Sequence, residues 1–242
     1  MSEFVCLYEV GPRDGLQNEA RIISVEHKVG LIRALVQAGL KDIEVGSFVS
    51  EKWVPQMANT DRVMAGLDYG RDVNYAVLVP NMRGFEAWRE ARAALPRIPG
   101  EIAVFIAASE GFSKANLNCT IAESLERVRP VVEAAMTESV KVRGYVSCVT
   151  DCPYDGPTAP EAVADVVARL SEIAEMPVSL GDTIGKGTPD RVQAMLRAVK
   201  RHVPAERLAG HFHDTGGRAL ANIEAALEIG RASCRERVYV LV

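Results

Sequence analysis

Two histidines that lie two residues apart are the clearest chemical feature of this sequence. They are His211 and His213, in the stretch GHFHDT at residues 210–215. On an extended strand both imidazoles project to one face, while Phe212 faces the other way. Neutral imidazoles are common ligands of divalent transition metals, so the spacing indicates a metal site. Taken alone, it slightly favours two hydrogen-bonded polar residues at the end of a sheet.

A second stretch, VGPRDGLQNE at residues 10–19, supplies a carboxylate and a guanidinium. Asp14 can join His211 and His213 on a divalent cation, although alone it would be better explained as a turn aspartate after Pro12. Two imidazole nitrogens and one carboxylate oxygen make three protein ligands and leave positions open for water and substrate. Such ligands are compatible with magnesium, manganese, iron, cobalt or zinc, and the spacing does not distinguish these metals.

Other charged residues are expected beside this metal site. Arg13 keeps its charge and is suited to holding a developing enolate or carboxylate oxygen, and a salt bridge with Glu44 is the structural alternative. Glu44 lies near the end of a predicted strand, where it can orient Arg13 or a water on the metal. Asp182 and Asp214 each precede a threonine after a predicted strand. Either could be the N-cap of the next helix, and for Asp214 this is the better explanation.

The composition excludes several classes of protein. Charged residues make up 25% and hydrophobic residues 48% of the chain, as in an ordinary globular protein. A net charge of -4, with both signs scattered throughout, provides no basic stripe for nucleic acid and no polybasic membrane anchor. No apolar run approaches the ~18 residues of a membrane span, and the first strand leaves no room for a leader. We therefore expect a cytoplasmic protein with a small-molecule partner, and a homo-oligomer is compatible with the sequence.

Strand patterns alternate with helix patterns along the chain. Strands are predicted at residues 4–10, 42–48, 74–80, 101–108, 141–149, 177–182 and 208–213. Helices are predicted at residues 24–35, 55–67, 84–95, from 120 onward, 160–174, 189–203 and 220–229. This strict alternation, at a spacing of about thirty residues, indicates α/β units with a parallel sheet.

We predict a TIM (β/α)8 barrel, with an open doubly wound sheet as the alternative. No G-x-G-x-x-G follows the first strand, and polar clusters recur after many strands rather than at one switch point. In a barrel, the carboxyl ends of all strands meet at one mouth. The amino ends of the predicted strands carry no comparable set of polar residues. The carboxyl ends carry Arg13, Asp14, Glu44, Ser47, Asn81, Ser109, Glu110, Asp182, Thr183, His211, His213 and Asp214.

The end of the sequence does not fit this pattern. The barrel domain is predicted at residues 1–230, and an eighth strand should follow it. Residues 231–242 instead read RASCRERVYVLV, whose charge-dense first half is neither a buried strand nor an amphipathic helix. Residues 229–238 resemble the translation of a sequencing-adapter oligonucleotide. We therefore expect an incomplete barrel, whose eighth strand is missing or replaced by a foreign tail.

Four stretches together resemble the hydroxymethylglutaryl-CoA lyase family. They are GPRDGLQNE at residues 11–19, SFVSEKWVPQ at 47–56, SLGDTIG at 179–185 and HFHDT at 211–215. The resemblance runs in the same order from about residue 4 to residue 230. Arg-Asp-Gly alone would suggest only the wider superfamily of metal-dependent lyases and Claisen-type synthases. The GLQNE continuation after Arg-Asp and the HFHDT form of the histidine motif are similar to the lyase branch.

The resemblance implies a (β/α)8 barrel that cleaves 3-hydroxy-3-methylglutaryl-CoA to acetyl-CoA and acetoacetate with Mg²⁺ or Mn²⁺, in leucine or ketone-body metabolism. By motif position, Asp14, His211 and His213 would be the metal ligands, and Arg13 would stabilise the enolate of the leaving acetyl-CoA. Arg13, Asp14 and Glu44 are the expected catalytic residues. Substrate-lining or supporting positions are expected at Gln17, Ser47, Asp182 and Thr183.

The sequence also departs from the family pattern. The fourth metal ligand of the family, an asparagine, and its catalytic cysteine in a glycine-rich loop would both lie beyond Gly230. Cys234 sits in no such loop and does not inherit that role. Thr150 and Asp151 replace the small residues that the family often places before Cys-Pro-Tyr, and Lys186 replaces an apolar residue. These changes are expected to adjust loop closure or the acyl-CoA pocket.

Two alternative functions stay open at this point. One is a Claisen-type synthase, such as one that makes citramalate or isopropylmalate. Incubation with acetyl-CoA and a 2-oxo acid separates it from a lyase, because only the synthase releases free CoA. The other is an inactive, metal-binding remnant, which would show no turnover and no cooperative melting.

Overall fold

Short apolar strands alternate with helices in the computed structural model, which describes residues 5–70, 72–95, 100–231 and 238–241. The chain forms two compact units. The N-terminal unit contains Leu7–Val104 and Ala134–Val142, and the C-terminal unit contains Phe105–Glu133 and Arg143–Leu241.

The sheet of the N-terminal unit is parallel, in the order β1-β2-β3-β4. In chain order the elements of this part are β1 (Val5–Glu9), α1 (Val25–Gln37), β2 (Asp42–Ser47), α2 (Thr60–Ala65), β3 (Asn74–Leu78), α3 (Met82–Ala93) and β4 (Glu101–Ala107). Tyr8 pairs with Asp42 across the first two strands, and Val77 pairs with Ile102 across the last two. Each strand is joined to the next by a helix, which is the connection that parallel strands require.

The sheet of the C-terminal unit is also parallel, in the order β5-β8-β9-β10. The remaining elements are α4 (Glu110–Leu117), α5 (Ile121–Thr137), β5 (Lys141–Ser147), β6 (Asp151–Cys152), β7 (Gly156–Pro157), α6 (Pro160–Ile173), β8 (Val178–Asp182), α7 (Pro189–Val199), β9 (Leu208–Phe212), α8 (Ala219–Arg231) and β10 (Val238–Leu241). The short strands β6 and β7 form an antiparallel hairpin. Apart from this hairpin, the repeated βα units are those of the predicted barrel class.

The predicted local signals form as expected. The Ser24 side chain accepts a hydrogen bond from the amide of His27 at the start of α1. At the start of α5, the amide of Thr120 donates to Oε2 of Glu123, and the amide of Glu123 donates to Oγ1 of Thr120. This exchange is the predicted capping box. Gly39 ends the first helical region with φ +100, a backbone conformation that side chains disfavour.

Three elements differ from the predictions. The helix predicted at 55–67 is shorter, because Pro55–Met57 forms a 3₁₀ turn and Asn59 adopts a left-handed φ of 63 before α2 begins. Helix α4 was not predicted, and the polar loop after β5 contains the β6–β7 hairpin. Short helices and hairpins of this kind carry too few residues to show a clear hydrophobic period.

A polar cluster in the N-terminal unit contains Asp42, Asn74 and Glu101, the first residues of β2, β3 and β4, together with Tyr8 near the end of β1. The hydroxyl of Tyr8 donates to Oε1 of Glu101 at 3.2 Å. Nδ2 of Asn74 donates to Oε2 of Glu101 at 2.8 Å and to Oδ1 of Asp42 at 3.1 Å. The prediction that the amino ends carry no comparable polar set is therefore wrong. Each strand contributes only one such residue, and strand pairing brings them together.

Residues of the C-terminal tail form strand β10. Tyr239, Val240 and Leu241 pair in parallel with Ala209, Gly210 and His211 of β9. The tail thus supplies a strand beside β9. Residues 232–237 and 242, including Cys234, lie outside the described residues, so the foreign origin of 231–242 stays a prediction.

Within the described ranges, none of the helices has the length and apolar character needed to cross a lipid bilayer.

Candidate active site

A tight turn after β1 displays Arg13 and Asp14 side by side. Residues Gly11–Gly15 form a turn of π-helix with Pro12 at its start. The carbonyl oxygen of Val10 accepts from the amide of Arg13 at 3.0 Å and from the amide of Asp14 at 2.6 Å. Proline suits this start because its fixed φ and missing N–H are tolerated in a first helical turn.

The Arg13 guanidinium is held between two carboxylates. Its Nε donates to Oε1 of Glu44, and its Nη1 donates to Oδ1 of Asp14 at 2.7 Å. Glu44 is fully buried, and Arg13 is only 7% exposed. Burying these charges is tolerable because each is paired and hydrogen-bonded. The predicted salt bridge between Arg13 and Glu44 is thus present, and the three groups together carry one net negative charge.

The other predicted residues of the N-terminal unit have different surroundings. Gln17 is half-buried one turn beyond Asp14. Ser47 is buried at the end of β2, where its hydroxyl donates to the carbonyl of Leu78 at 3.2 Å and its amide donates to Oγ1 of Thr60 at 3.2 Å. Ser47 therefore joins β2 to β3 and to α2.

The two histidines of the HFHDT motif lie close together in the C-terminal unit. The Nε2 atoms of His211 and His213 are 2.9 Å apart, and the ring centroids are 4.9 Å apart at an interplanar angle of 63°. Nδ1 of His213 lies 2.8 Å from the carbonyl oxygen of Thr183. A carbonyl only accepts, so Nδ1 of His213 carries a proton, and in the neutral ring Nε2 keeps its lone pair.

This imidazole pair fits one side of a divalent metal site. When two nitrogens bind one ion with nitrogen–metal distances of about 2.1 Å and a nitrogen–metal–nitrogen angle of about 90°, the nitrogens lie about 3 Å apart. The separation of the Nε2 atoms of His211 and His213 matches this value. The hydrogen bond from His213 to the Thr183 carbonyl is the outer contact that orients a ligating histidine.

Asp182 and Thr183 are bound within the same unit. Asp182 is fully buried, and its carboxylate accepts from Oγ1 of Thr150 at 2.6 Å and from the amide of Gly187 at 2.8 Å. Oγ1 of Thr183 accepts from the amide of Cys148 at 2.8 Å. Asp182 is not the N-cap of α7, because that helix begins seven residues later at Pro189. Asp214 is not the N-cap residue of α8 either, because α8 begins at Ala219, but its Oδ1 accepts from the amide of Ala219 at 2.9 Å.

The sequence indicated no role for Arg191, and for Thr150 it indicated only an effect on loop closure or the acyl-CoA pocket. Arg191, in the first turn of α7, donates from Nη1 to Oδ2 of Asp151 at 2.6 Å and from Nη2 to the carbonyl of Thr150. The sequence marked this loop only through Thr150 and Asp151, which stand where the lyase family often has small residues. Nothing in the sequence indicated that Arg191 would be its partner.

The cysteines described in this unit are buried thiols, as expected. Burial raises the pKa of Cys148 to about 12. Burial also acts to raise the pKa of Cys152, but hydrogen bonds from the Ser109 hydroxyl and the amides of Asp155 and Tyr154 outweigh it, so this pKa lies below its ordinary value. Asp155 in turn accepts from the amide of Gly111 at 2.7 Å and from Oγ of Ser109 at 2.9 Å. These contacts attach the β6–β7 hairpin to the start of α4.

The predicted site residues thus form two groups. In the N-terminal unit lie Arg13, Asp14, Gln17, Glu44 and Ser47; in the C-terminal unit lie Asp182, Thr183, His211 and His213.

Comparison with known proteins identifies the family. The family model described as HMGL-like matches residues 5–235. The chain belongs to the HMGL-like family. An HMGL-like relative, the 3-hydroxy-3-isohexenylglutaryl-CoA/hydroxy-methylglutaryl-CoA lyase of Pseudomonas aeruginosa, is 55% identical over 228 residues, which cover 94% of this chain and 74% of the relative. Similar relatives include enzymes named as mitochondrial and as cytoplasmic.

Solved structures agree with the HMGL-like assignment. The HMG-CoA lyase of Brucella melitensis has a TM-score of 0.92 and 54% identity, covering 99% of this chain and 81% of that chain. An HMG-CoA lyase of Acinetobacter baumannii in complex with coenzyme A and 3-methylmalate has a TM-score of 0.89 and 30% identity, covering 100% and 77%. The predicted fold class, an incomplete TIM barrel, is confirmed. The lyase prediction is confirmed at the level of this HMGL-like family, and the relatives do not favour the synthase alternative.

Proposed function

We propose that this protein cleaves 3-hydroxy-3-methylglutaryl-CoA to acetyl-CoA and acetoacetate, as a step of leucine breakdown or ketone-body formation in the cytoplasm. The observation that carries the proposal is the His211–His213 pair, whose Nε2 atoms are 2.9 Å apart in an HMGL-like chain. The complex of a relative with coenzyme A supports an acyl-CoA substrate.

We propose Asp14, His211 and His213 as the ligands of a divalent metal, with Mg²⁺ or Mn²⁺ as the ion. The imidazoles of His211 and His213 supply two nitrogens that lie 2.9 Å apart, and Asp14 would supply the carboxylate oxygen. One carboxylate oxygen with two imidazole nitrogens is a donor set that both ions accept, because neither requires thiolate. When bound, such an ion polarises substrate oxygens and stabilises negative charge on them.

Arg13 is proposed to stabilise the enolate oxygen of the departing acetyl-CoA. The guanidinium stays charged at every physiological pH, and its hydrogen bonds to Glu44 and Asp14 fix its plane before substrate arrives. A donor that is already oriented costs no reorganisation when negative charge develops. Glu44 is buried, so its proposed role is to orient Arg13.

The remaining predicted residues are proposed to shape the substrate pocket. Gln17 is half-buried, and its amide can donate to or accept from a substrate oxygen. The side chains of Ser47, Asp182 and Thr183 are hydrogen-bonded to neighbouring strands and loops, so they are suited to holding the pocket walls.

The experiment is an assay of the chain with 3-hydroxy-3-methylglutaryl-CoA before and after chelation. We expect acetoacetate only when Mg²⁺ or Mn²⁺ is present, and turnover that survives thorough chelation would refute the metal assignment.

Release of free CoA from acetyl-CoA and a 2-oxo acid would support the synthase instead. If the chain gives no turnover and no cooperative melting, it is the inactive remnant, and a gene extended through a family-type eighth strand should restore activity. Light scattering in the same buffer tests the homo-oligomer.

A further inference from the structure

A buried hydrogen bond joins the loop after β5 to the end of β8. Oγ1 of Thr150 donates to Oδ1 of Asp182 at 2.6 Å. Thr150 is 1% exposed, and Asp182 is fully buried. A hydroxyl that donates to a carboxylate is a charge-assisted bond, and burial removes the water that would otherwise replace it. Loss of the Thr150 hydroxyl would therefore leave Oδ1 of Asp182 without this donor.

Arg191 holds the backbone of this loop in place. One guanidinium nitrogen donates to the carboxylate of Asp151 at 2.6 Å, and the other donates to the carbonyl of Thr150. The Asp151 side chain is only 10% exposed, whereas that of Arg191 is 36% exposed. The pair therefore connects the start of α7 to the residue whose hydroxyl contacts Asp182.

Asp182 in turn fixes a tight turn. Its Oδ2 accepts from the amide of Gly187 at 2.8 Å, and its backbone carbonyl accepts from the amide of Gly185 at 3.1 Å. Gly185 has φ +63, and a Cβ built there would lie 2.7 Å from the carbonyl oxygen of His213. The turn thus packs directly against the segment that carries the second histidine of the motif.

The carbonyl of Thr183 projects from this turn to His213. It lies 2.8 Å from Nδ1 of the ring, while Nε2 of His213 lies 2.9 Å from Nε2 of His211. The position of one carbonyl oxygen therefore sets the tautomer and the direction of the His213 ring.

We propose that Thr150, supported by the Asp151–Arg191 ion pair, is a positioning residue for His213. It acts by anchoring Asp182 and the 182–187 turn, so that the Thr183 carbonyl keeps Nδ1 of His213 protonated and Nε2 directed toward the metal. The proposal rests on the proposed function for the identity of the ion. Its structural part, the anchoring of the His213 ring, stands separately.

The experiment compares four variants of the full chain with the wild type. Thr150→Val removes the hydroxyl at nearly constant volume, Thr150→Ser restores a hydroxyl, and Arg191→Met removes the support. Thr158→Val is the matched control, because the Thr158 hydroxyl lies in the same region and has no hydrogen-bond partner among the described residues. Two quantities are measured: the Mn²⁺ dissociation constant by electron paramagnetic resonance, and the imidazole Nδ1–H signal of His213 by NMR of the metal-free protein.

We expect Thr150→Val to weaken Mn²⁺ binding about 10-fold, the effect typical of groups that orient a ligand. The His213 Nδ1–H signal should be lost or shifted in this variant and retained in Thr150→Ser and Thr158→Val. An unchanged dissociation constant and signal in Thr150→Val would overturn the inference. If Thr150→Val does not fold, the Arg191→Met variant tests the inference instead. We expect it to weaken Mn²⁺ binding, and an unchanged dissociation constant would overturn the inference.

The two proposals fail in different ways. Absence of Mn²⁺ binding by the wild type would refute the metal assignment of the proposed function. The NMR comparison would still test the anchoring of His213, because it needs no metal.

Discussion

Arg13 and Glu44 form a buried ion pair in which Nε of the guanidinium faces Oε1 of the carboxylate. The two residues are 31 positions apart in the chain, and Glu44 has no exposed surface. This pairing leaves Nη1 of Arg13 to reach Asp14 at 2.7 Å. One buried acid therefore determines how the guanidinium is presented to a substrate.

Replacing Arg13 by methionine should cost both stability and activity. Glu44 would be left as a buried, unpaired charge, and breaking a buried pair in this way costs about 3–5 kcal/mol. The double variant Arg13→Met/Glu44→Gln removes that charge, so it should recover much of the free energy of unfolding in urea titrations. Acetoacetate formation should stay about 100-fold or more below wild type in both variants, because the enolate donor is missing. Recovery of activity in the double variant would show that Arg13 is only structural.

Asp14→Ala and His213→Ala should abolish acetoacetate formation and metal binding together. Each removes one proposed ligand, and the remaining two donors hold a divalent ion poorly. Isothermal titration with Mn²⁺ and the lyase assay measure the two effects on the same samples. Asp61→Ala, which changes an exposed acid in the first turn of α2, is the control and should match wild type. Full activity in either ligand variant would contradict the assignment.

The attachment of Asp155 to α4 should weaken in acid. Hydrogen bonds from the amide of Gly111 and the hydroxyl of Ser109 lower the pKa of Asp155 in the folded protein. A lowered pKa stabilises the fold above the unfolded value of about 3.9, and this contribution is lost as the pH falls through the folded pKa. The difference in free energy of unfolding between wild type and Asp155→Asn should therefore shrink as the pH is lowered. Ser109→Ala removes one donor, so in that background Asp155→Asn should change the free energy of unfolding less at neutral pH. An effect of Asp155→Asn that does not vary with pH would exclude this mechanism.

Cys152 should react with iodoacetamide before Cys148. The thiolate is the nucleophile, and the pKa of Cys152 is lowered while that of Cys148 is raised to about 12. Mass spectrometry of the native protein after timed alkylation at mildly alkaline pH measures both rates. Ser109→Ala removes the hydroxyl that donates to Sγ of Cys152 at 2.8 Å, so it should slow the reaction of Cys152 selectively. Equal rates for the two thiols in the wild type would show that access, not ionisation, controls the reaction.

Much of the fold could be predicted from the sequence because the signals are local. The alternation of strand and helix patterns, the Ser24 cap and the Thr120–Glu123 capping box each depend on residues within a few positions of one another. Four motifs together, GPRDGLQNE, SFVSEKWVPQ, SLGDTIG and HFHDT, were sufficient to indicate the hydroxymethylglutaryl-CoA lyase family. Helix α4 and the β6–β7 hairpin were missed because such short elements leave almost no periodic pattern.

The sequence by itself determined which residue types can do the chemistry: an Arg-Asp pair after the first strand and two histidines on one face of a later strand. The tertiary structure alone decided which of their neighbours hold them. The bond between Thr150 and Asp182 joins residues 32 positions apart, and that between His213 and the Thr183 carbonyl joins residues 30 apart. Bonds of this range depend on how strands pair and loops pack. No local pattern of residues encodes them, because the same threonine or aspartate forms different bonds in different surroundings.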